Sequence, residues 1–225
     1  MKTIGLIGAM PSELADIRKS LRNGEVYRVS NYVIHADTLD NTRIFSVCSG
    51  IGKVNAALAA QILTDRFGAE CLISIGVAGG MHPAVKVCDL VLANEAIHHD
   101  LLPRFLQNYP PYQSRFASDP ALISAAQSAC AALEYPCHLG AIVSGESFIA
   151  SAEAKAAIVK EFAPFAVDME SAAIAQCAYR SGLPFLSIRC ISDNADDDGE
   201  QSFDEFEKIA AARVADVVLR LAKNT

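Results

Sequence analysis

The sequence predicts an α/β fold, a three-layer αβα sandwich around a central mixed β-sheet. Three observations carry that prediction. Short apolar runs recur along the chain, and several are too apolar to have a wet face. Helical patterns fall between the later runs, the alternation that builds parallel strands covered by helices. The early runs are instead joined by short turns, of which 39–42 is one, so part of the sheet is antiparallel and the whole is mixed.

The strands are expected at 2–7, 32–36, 43–48, 71–75, 89–93, 138–143, 165–167 and 185–191. Pro11 suits the first turn of a helix and places Glu13 in that same turn. Further helices are expected at 53–67, 120–133, 152–162 and 169–180, the first with Ile51, Val54, Leu58 and Ile62 on one stripe. The last helix is expected to open at Ser202, whose capping box with Glu205 precedes Phe203, Phe206, Ala210, Val214, Val217 and Leu221 at helical spacing. The stretch 101–119, rich in Pro and aromatics, reads as one irregular loop, and a loop this long is usually functional or interfacial.

At 225 residues, 52% hydrophobic and 20% charged, the chain is long enough for one sizeable core, so 1–225 is read as a single domain. A formal charge of −7 disfavours a surface that collects nucleic-acid backbones or anionic lipid, and points to a small-molecule partner. Seven cysteines without a CxxC pair suggest neither a disulfide framework nor a zinc site. No apolar run reaches the eighteen or so residues of a membrane span. A soluble, cytoplasmic protein without metal or cofactor is the expectation.

Open α/β sheets bind ligands beyond the carboxyl ends of their strands. Four such places stand out. The first strand leads into Gly8-Ala9-Met10-Pro11-Ser12-Glu13, where the acid either serves the helix dipole or faces the cleft. Two glycine clusters, Ser49-Gly50-Ile51-Gly52-Lys53 and Gly76-Val77-Ala78-Gly79-Gly80, allow close approach of a ligand to backbone, although neither is a dinucleotide or Walker fingerprint. Val167-Asp168-Met169-Glu170-Ser171 puts two acids at a strand-to-helix junction, where a pair of ligand hydroxyls would offset their burial. Arg189-Cys190-Ile191-Ser192-Asp193 ends the last strand on an acid. Any one of these acids reads first as a cap or salt bridge; three at converging strand ends read as a site.

Two decoys lie nearby. Asn194-Ala195-Asp196-Asp197-Asp198-Gly199 with Glu205 mimics a calcium loop, but it starts on Asn and follows a strand, so it reads as a solvated acidic loop. His98-His99-Asp100 would point adjacent side chains to opposite faces of an extended segment, which suits a structural or interface role better than a metal.

Read together, these segments resemble the 5′-methylthioadenosine/S-adenosylhomocysteine nucleosidases of the purine nucleoside phosphorylase superfamily. The matching stretches are Ile4 to Met10 with Glu13, Ser49 to Ala57, Ala78-Gly79-Gly80, Val143 to Ile149, Asp168-Met169-Glu170, Arg189 to Asp193 and Ser202 to Phe206. They span nearly the whole chain; 101–119 aligns least well.

The resemblance implies hydrolysis of the bond between adenine and ribose in 5′-thio-substituted adenosines. Asp193 would deliver a proton towards N7 of the leaving base, and burial would help it hold one above the free value of about 3.9. Glu13 would hold the attacking water, although its place in a first helical turn is expected to depress its basicity. Glu170 would accept the 2′ and 3′ hydroxyls with Met169 packed beneath it. Phe148 would stack on adenine and main-chain groups of Ile149 would read its edge, while Ala9, Ile51 and Phe203 line the 5′ end. Arg189 would orient the water or a neighbouring acid, and Ala78, Gly79 and Ser192 complete the binding set.

The resemblance also implies a homodimer in which 101–119, through Leu102, Phe105 and Pro110, closes the partner's 5′ pocket. Two positions depart from the family pattern: Val77, where serine is common, and Asp168, where glutamate is common. Alternative readings are a phosphate-dependent purine nucleoside phosphorylase, an aminofutalosine nucleosidase and a non-catalytic nucleoside sensor. Phosphate is disfavoured because Ser74 and Val77 stand where a phosphate cradle would place Arg and a hydroxyl, and because Glu13 would repel it.

Overall fold

The computed structural model describes residues 2–21, 24–196 and 199–223, the side chains of 199–201 and 204 apart. The described chain runs β1 (Lys2–Gly8), α1 (Pro11–Ser20), β2 (Glu25–Val29), β3 (Tyr32–Leu39), β4 (Thr42–Cys48) and α2 (Lys53–Phe67). It continues β5 (Cys71–Gly80), β6 (Leu90–His98), α3 (Pro103–Asn108), β7 (Arg115–Ala117), α4 (Pro120–Ala132) and β8 (Cys137–Ser144). Then come α5 (Ala152–Phe162), β9 (Ala166–Asp168), α6 (Ser171–Ser181), β10 (Phe185–Asp193) and α7 (Gly199–Lys223).

These strands form one mixed sheet with helices on both faces. Strand β5 lies at its centre, parallel to β1 on one side and to β10 on the other, and all ten of its residues are buried. Beyond β1 the order is β4, β3, β2, with β3 antiparallel to both neighbours. The β3–β4 hairpin turns on two residues, and Asp40 takes the left-handed φ of 52° that such a turn requires. On the other side the sheet rolls closed: β10 pairs with β6, β6 with β8, β8 with β9, and β9 returns antiparallel to the end of β5. This closure brings the β9–α6 junction back over the carboxyl end of β5.

One apolar cluster packs residues of α1, α4 and α7 against the sheet, and another packs α2 and α6 against the opposite face. Helix α2 corrects an expectation. Ile51, Val54 and Leu58 are 54%, 70% and 53% exposed, while Ala56, Ala59, Ala60 and Leu63 are buried. Both faces of this helix are apolar, and the alanine face permits the closer approach to α6 and the sheet. Val54 and Leu58 are left outside, whereas Ile62 of the expected stripe packs beside Leu63 against the core.

Other boundaries differ too. Stretch 101–119 is not structureless, since it holds α3, opened by Pro103, and β7, whose pairing with β6 buries Phe116. Helix α7 starts at Gly199, so Ser202 lies inside its first turn and not at its cap; Glu200 and Gln201 are good helix formers and extend the helix upstream. Helix α6 begins at Ser171, leaving Met169 and Glu170 ahead of it. Edge strand β2 exposes most of its side chains and so carried no alternating pattern to read. Asp197 and Asp198 of the acidic loop lie outside the described residues.

Candidate active site

The ends of β1, β5 and β10 converge with the β8–α5 loop and the β9–α6 junction around a cavity of about 520 Å³. Of the residues singled out in the sequence, Ala9, Glu13, Ile51, Ala78, Gly79, Phe148, Met169, Glu170, Ser192, Asp193 and Phe203 line it. Ile149 lines a small recess beside Gly79, Phe148 and Asp193. Arg189 lines neither; it is 1% exposed and lies behind the acids.

Glu13 occupies the third position of α1 and reaches back to the helix start. Its Oε2 accepts from the N–H groups of Ala9 (2.7 Å) and Met10 (2.9 Å), and its Oε1 from Val77 N–H (3.0 Å) across the sheet. The acid therefore does both things its sequence position suggested: it caps α1 and lines the cavity. Its proton affinity corrects the expectation of depressed basicity. Burial raises the Glu13 pKa above the ordinary carboxylate value, and this outweighs the lowering by Arg189 and by the three backbone donors. Room for this arrangement depends on Gly76. A Cβ there would stand 2.1 Å from Glu13 Oε1 and 2.3 Å from an Arg189 terminal nitrogen, and its φ of 148° suits no other residue.

Glu170 sits at the N-cap of α6, and its Oε1 accepts from Gly52 N–H (2.9 Å) at the start of α2. Its Oε2 lies 3.7 Å from Arg189 Nη2. Burial pushes its pKa up to about 7 against the pull of Arg189, with a further upward contribution from Asp168. Arg189 itself is fully engaged. Its Nε donates to Asp168 Oδ2 (2.7 Å), Nη1 to the Ile75 carbonyl (2.6 Å), and Nη2 to the hydroxyls of Ser74 (2.9 Å) and Ser171 (3.1 Å).

Asp193 ends β10, where its Oδ2 accepts from the Ser192 hydroxyl (2.8 Å) and its Oδ1 from Ala195 N–H (2.8 Å). Burial raises its pKa, opposed by these two donors. Phe148 stands opposite, half exposed, with its ring edge-on to Phe203 at 5.9 Å. The cavity thus joins a flat aromatic wall beside a carboxyl whose pKa burial raises, a second carboxyl on a helix cap, and a third held by backbone amides. That set can bind a base, a diol and a water on one ligand.

Comparison with known proteins places the chain in a family. The profile of the phosphorylase superfamily matches residues 3–223. The chain belongs to that superfamily. A 5′-methylthioadenosine/S-adenosylhomocysteine nucleosidase from Exiguobacterium sp. is 36% identical over 226 residues, covering 98% of this chain and 97% of that one. The crystal structure of the same-named nucleosidase from Neisseria meningitidis, in complex with methylthio-immucillin-A, superposes with a TM-score of 0.95 at 39% identity over 100% of both chains. A futalosine hydrolase mutant from Helicobacter pylori superposes at 0.94 with 28% identity over 100% of both chains.

Within this superfamily fold, sequence reasoning missed the polar shell behind the acids. Ser74, Ser144, Ser171 and Ser187 are all fully buried around Arg189 and Asp168. A signal existed: Ser74 and Ser187 interrupt otherwise apolar strands and Ser144 ends one, and a buried hydroxyl needs a partner. Met10, which also lines the cavity, was legible only as a neighbour of Glu13, whereas Val77, singled out as a departure from the family pattern, lines it too.

Proposed function

We propose that this protein hydrolyses the N-glycosidic bond of 5′-thio-substituted adenosines such as 5′-methylthioadenosine and S-adenosylhomocysteine, releasing adenine and a thioribose. The observation that carries this reading is the cavity's charge. Among the described lining residues there are four acidic side chains (Glu13, Asp168, Glu170 and Asp193) and no Lys or Arg, so that with Asp193 carrying the proton for the base the remaining acids still set the sign. Such a lining favours positive charge growing on the ribose as the bond stretches and disfavours a phosphate nucleophile. Ser74 points its hydroxyl at Arg189, away from the cavity.

The contacts support a role for each acid. Asp193 protonates the departing base, so that adenine leaves as a neutral molecule; burial lets it carry that proton. Glu13, fixed by three N–H groups, positions the water that adds to the anomeric carbon, and its raised pKa suits it to take the water's proton. Glu170 fixes the sugar by accepting from its hydroxyls. Ala9, Met10, Ile51 and Phe203 give the 5′ side an apolar lining suited to a thioether. Incubation with 5′-methylthioadenosine in phosphate-free buffer should release adenine. Turnover only on adding phosphate would replace this reading with a phosphorylase, and none in either buffer with a sensor.

The reading includes a homodimer. It is supported by the exposed apolar side chains of Val54, Leu58, Leu102, Phe105, Tyr109 and Tyr112, and by Ile51, which is both exposed and part of the cavity edge. A second copy laid on this face would cover the 5′ side of the cavity, and sedimentation velocity should give the mass of two chains. The reading also places the protein in a reducing cytoplasm, which suits its seven free cysteines.

A further inference from the structure

We propose that Asp168 is a positioning residue of this site: it holds Arg189 as its counter-ion and thereby leaves Glu170 and Glu13 free to face sugar and water. This rests on the nucleosidase reading above. Arg189 is a cation with no solvent, and three carboxylates compete for it. The competition is decided by geometry. Asp168 takes the Nε–H at 2.7 Å, whereas the nearest Glu170 oxygen is 3.7 Å from Nη2. The remaining guanidinium donors are turned to Ile75 and to two serine hydroxyls.

Asp168 is itself held so that it cannot swing away. Its Oδ1 accepts from Glu170 N–H (3.3 Å), Ser171 N–H (3.2 Å) and the Ser144 hydroxyl, and its Oδ2 from the Ser171 hydroxyl as well as from Arg189. Ser171 also contacts the Ser187 hydroxyl at 2.7 Å, and Ser144 accepts from Ala172 N–H at 2.9 Å. One short carboxylate thus ties β8, β10 and the first turn of α6 together, and the backbone it fixes carries Glu170. Were its charge removed, Arg189 would be balanced by Glu170 and Glu13 alone. The nearer of them, Glu170, would be drawn into a full ion pair and away from the ligand. Its proton affinity would fall, because both the Asp168 repulsion and the sharing of Arg189 would end.

Asp168→Asn and Asp168→Glu test this, read by adenine release from 5′-methylthioadenosine across pH and by calorimetric binding of adenine alone. Asp168→Asn should lower kcat/KM about 100-fold through misplacement of Glu170, while adenine affinity is kept. Its acid limb should move to lower pH, since Glu170 then stays ionised further down. Asp168→Glu, which restores the charge, should return the limb towards its wild-type position. An unmoved limb in Asp168→Asn, or adenine binding lost in parallel with turnover, would overturn the proposal.

If Asp168→Asn does not fold, Ser144→Ala removes one donor to Oδ1 and should give a smaller shift in the same direction; no shift there would also overturn it. Absence of adenine release from the wild type would remove the hydrolase reading alone. The ratio of nucleoside to adenine affinity in the variants would then decide on Asp168, a fall supporting it and an unchanged ratio overturning it.

Discussion

The floor of the cavity and its rim are made from the same chain by opposite means. On the floor, Glu13, Glu170 and Asp193 are buried and every carboxylate has protein donors, so their positions are fixed before any ligand arrives. At the rim, Ile51 and Phe148 are large, apolar and exposed, as are Leu102 and Phe105 outside the cavity lining, and hydrogen bonding fixes none of their side chains. The floor acids draw their donors from one chain, whereas it is the rim that the proposed second copy would cover. Chemistry should therefore respond to conservative changes below, and affinity for the 5′ group to changes above.

The largest effect expected is on the floor. Asp193→Asn keeps the shape and one acceptor, with the Ser192 hydroxyl turned to accept from the new amide, but cannot give up a proton to the base, so kcat should fall about 1,000-fold, within the usual range for a lost general acid. Affinity for a 5′-methylthioadenosine analogue should change little. Single-turnover adenine release beside calorimetric binding separates the two, and a parallel loss of both would make Asp193 a binding group only.

Next comes Glu170→Gln. A charged acceptor of hydroxyl hydrogen bonds contributes about 1.5–3 kcal/mol, so kcat/KM should drop about 10–100-fold. The loss should shrink for a 2′-deoxy substrate, which lacks one of the hydroxyls. Equal losses for both substrates would deny that Glu170 holds the 2′ position.

The same division explains what the sequence made legible. Floor acids lie at or within a few residues of the carboxyl ends of apolar strands, so Glu13, Glu170 and Asp193 could be picked out from the sequence. The closure of β9 onto β5 could not, because it rests on two residue pairs between short segments far apart in sequence. Nor could the inward face of α2: Val54 and Leu58 carry a stronger apolar signal than Ala56 and Ala60, yet close packing chose the alanines. Glu13 was placed correctly on its helix, but its proton affinity was misjudged. A helix-dipole argument knows nothing of burial, and here burial is the larger effect.

Outside the cavity, on the exposed apolar surface, Phe105→Asp should separate the proposed two-chain assembly into single chains by sedimentation velocity. KM for 5′-methylthioadenosine should rise about tenfold, the scale of one apolar anchor, while kcat stays within a small factor. A tenfold loss in kcat with the assembly intact would move Phe105 to the floor.

The smallest effect concerns stability, and it arises on the floor because burial there holds Glu170 at a raised pKa. The folded value of about 7 lies above the ordinary 4.5 of an unfolded chain. Between those values the native state keeps a proton that the unfolded chain has lost. Unfolding free energy therefore falls as pH rises through this window, and the group does not affect the slope below 4.5. At about 1.4 kcal/mol per unit of pKa difference the contribution is on the order of 1–3 kcal/mol, shared with the neighbouring acids through Arg189. Glu170→Gln removes this titration. Ligand-free wild type should thus lose more Tm than the variant between pH 5 and 7.5, whereas equal losses would mean that Glu170 is ionised throughout, its charge fully met by Arg189.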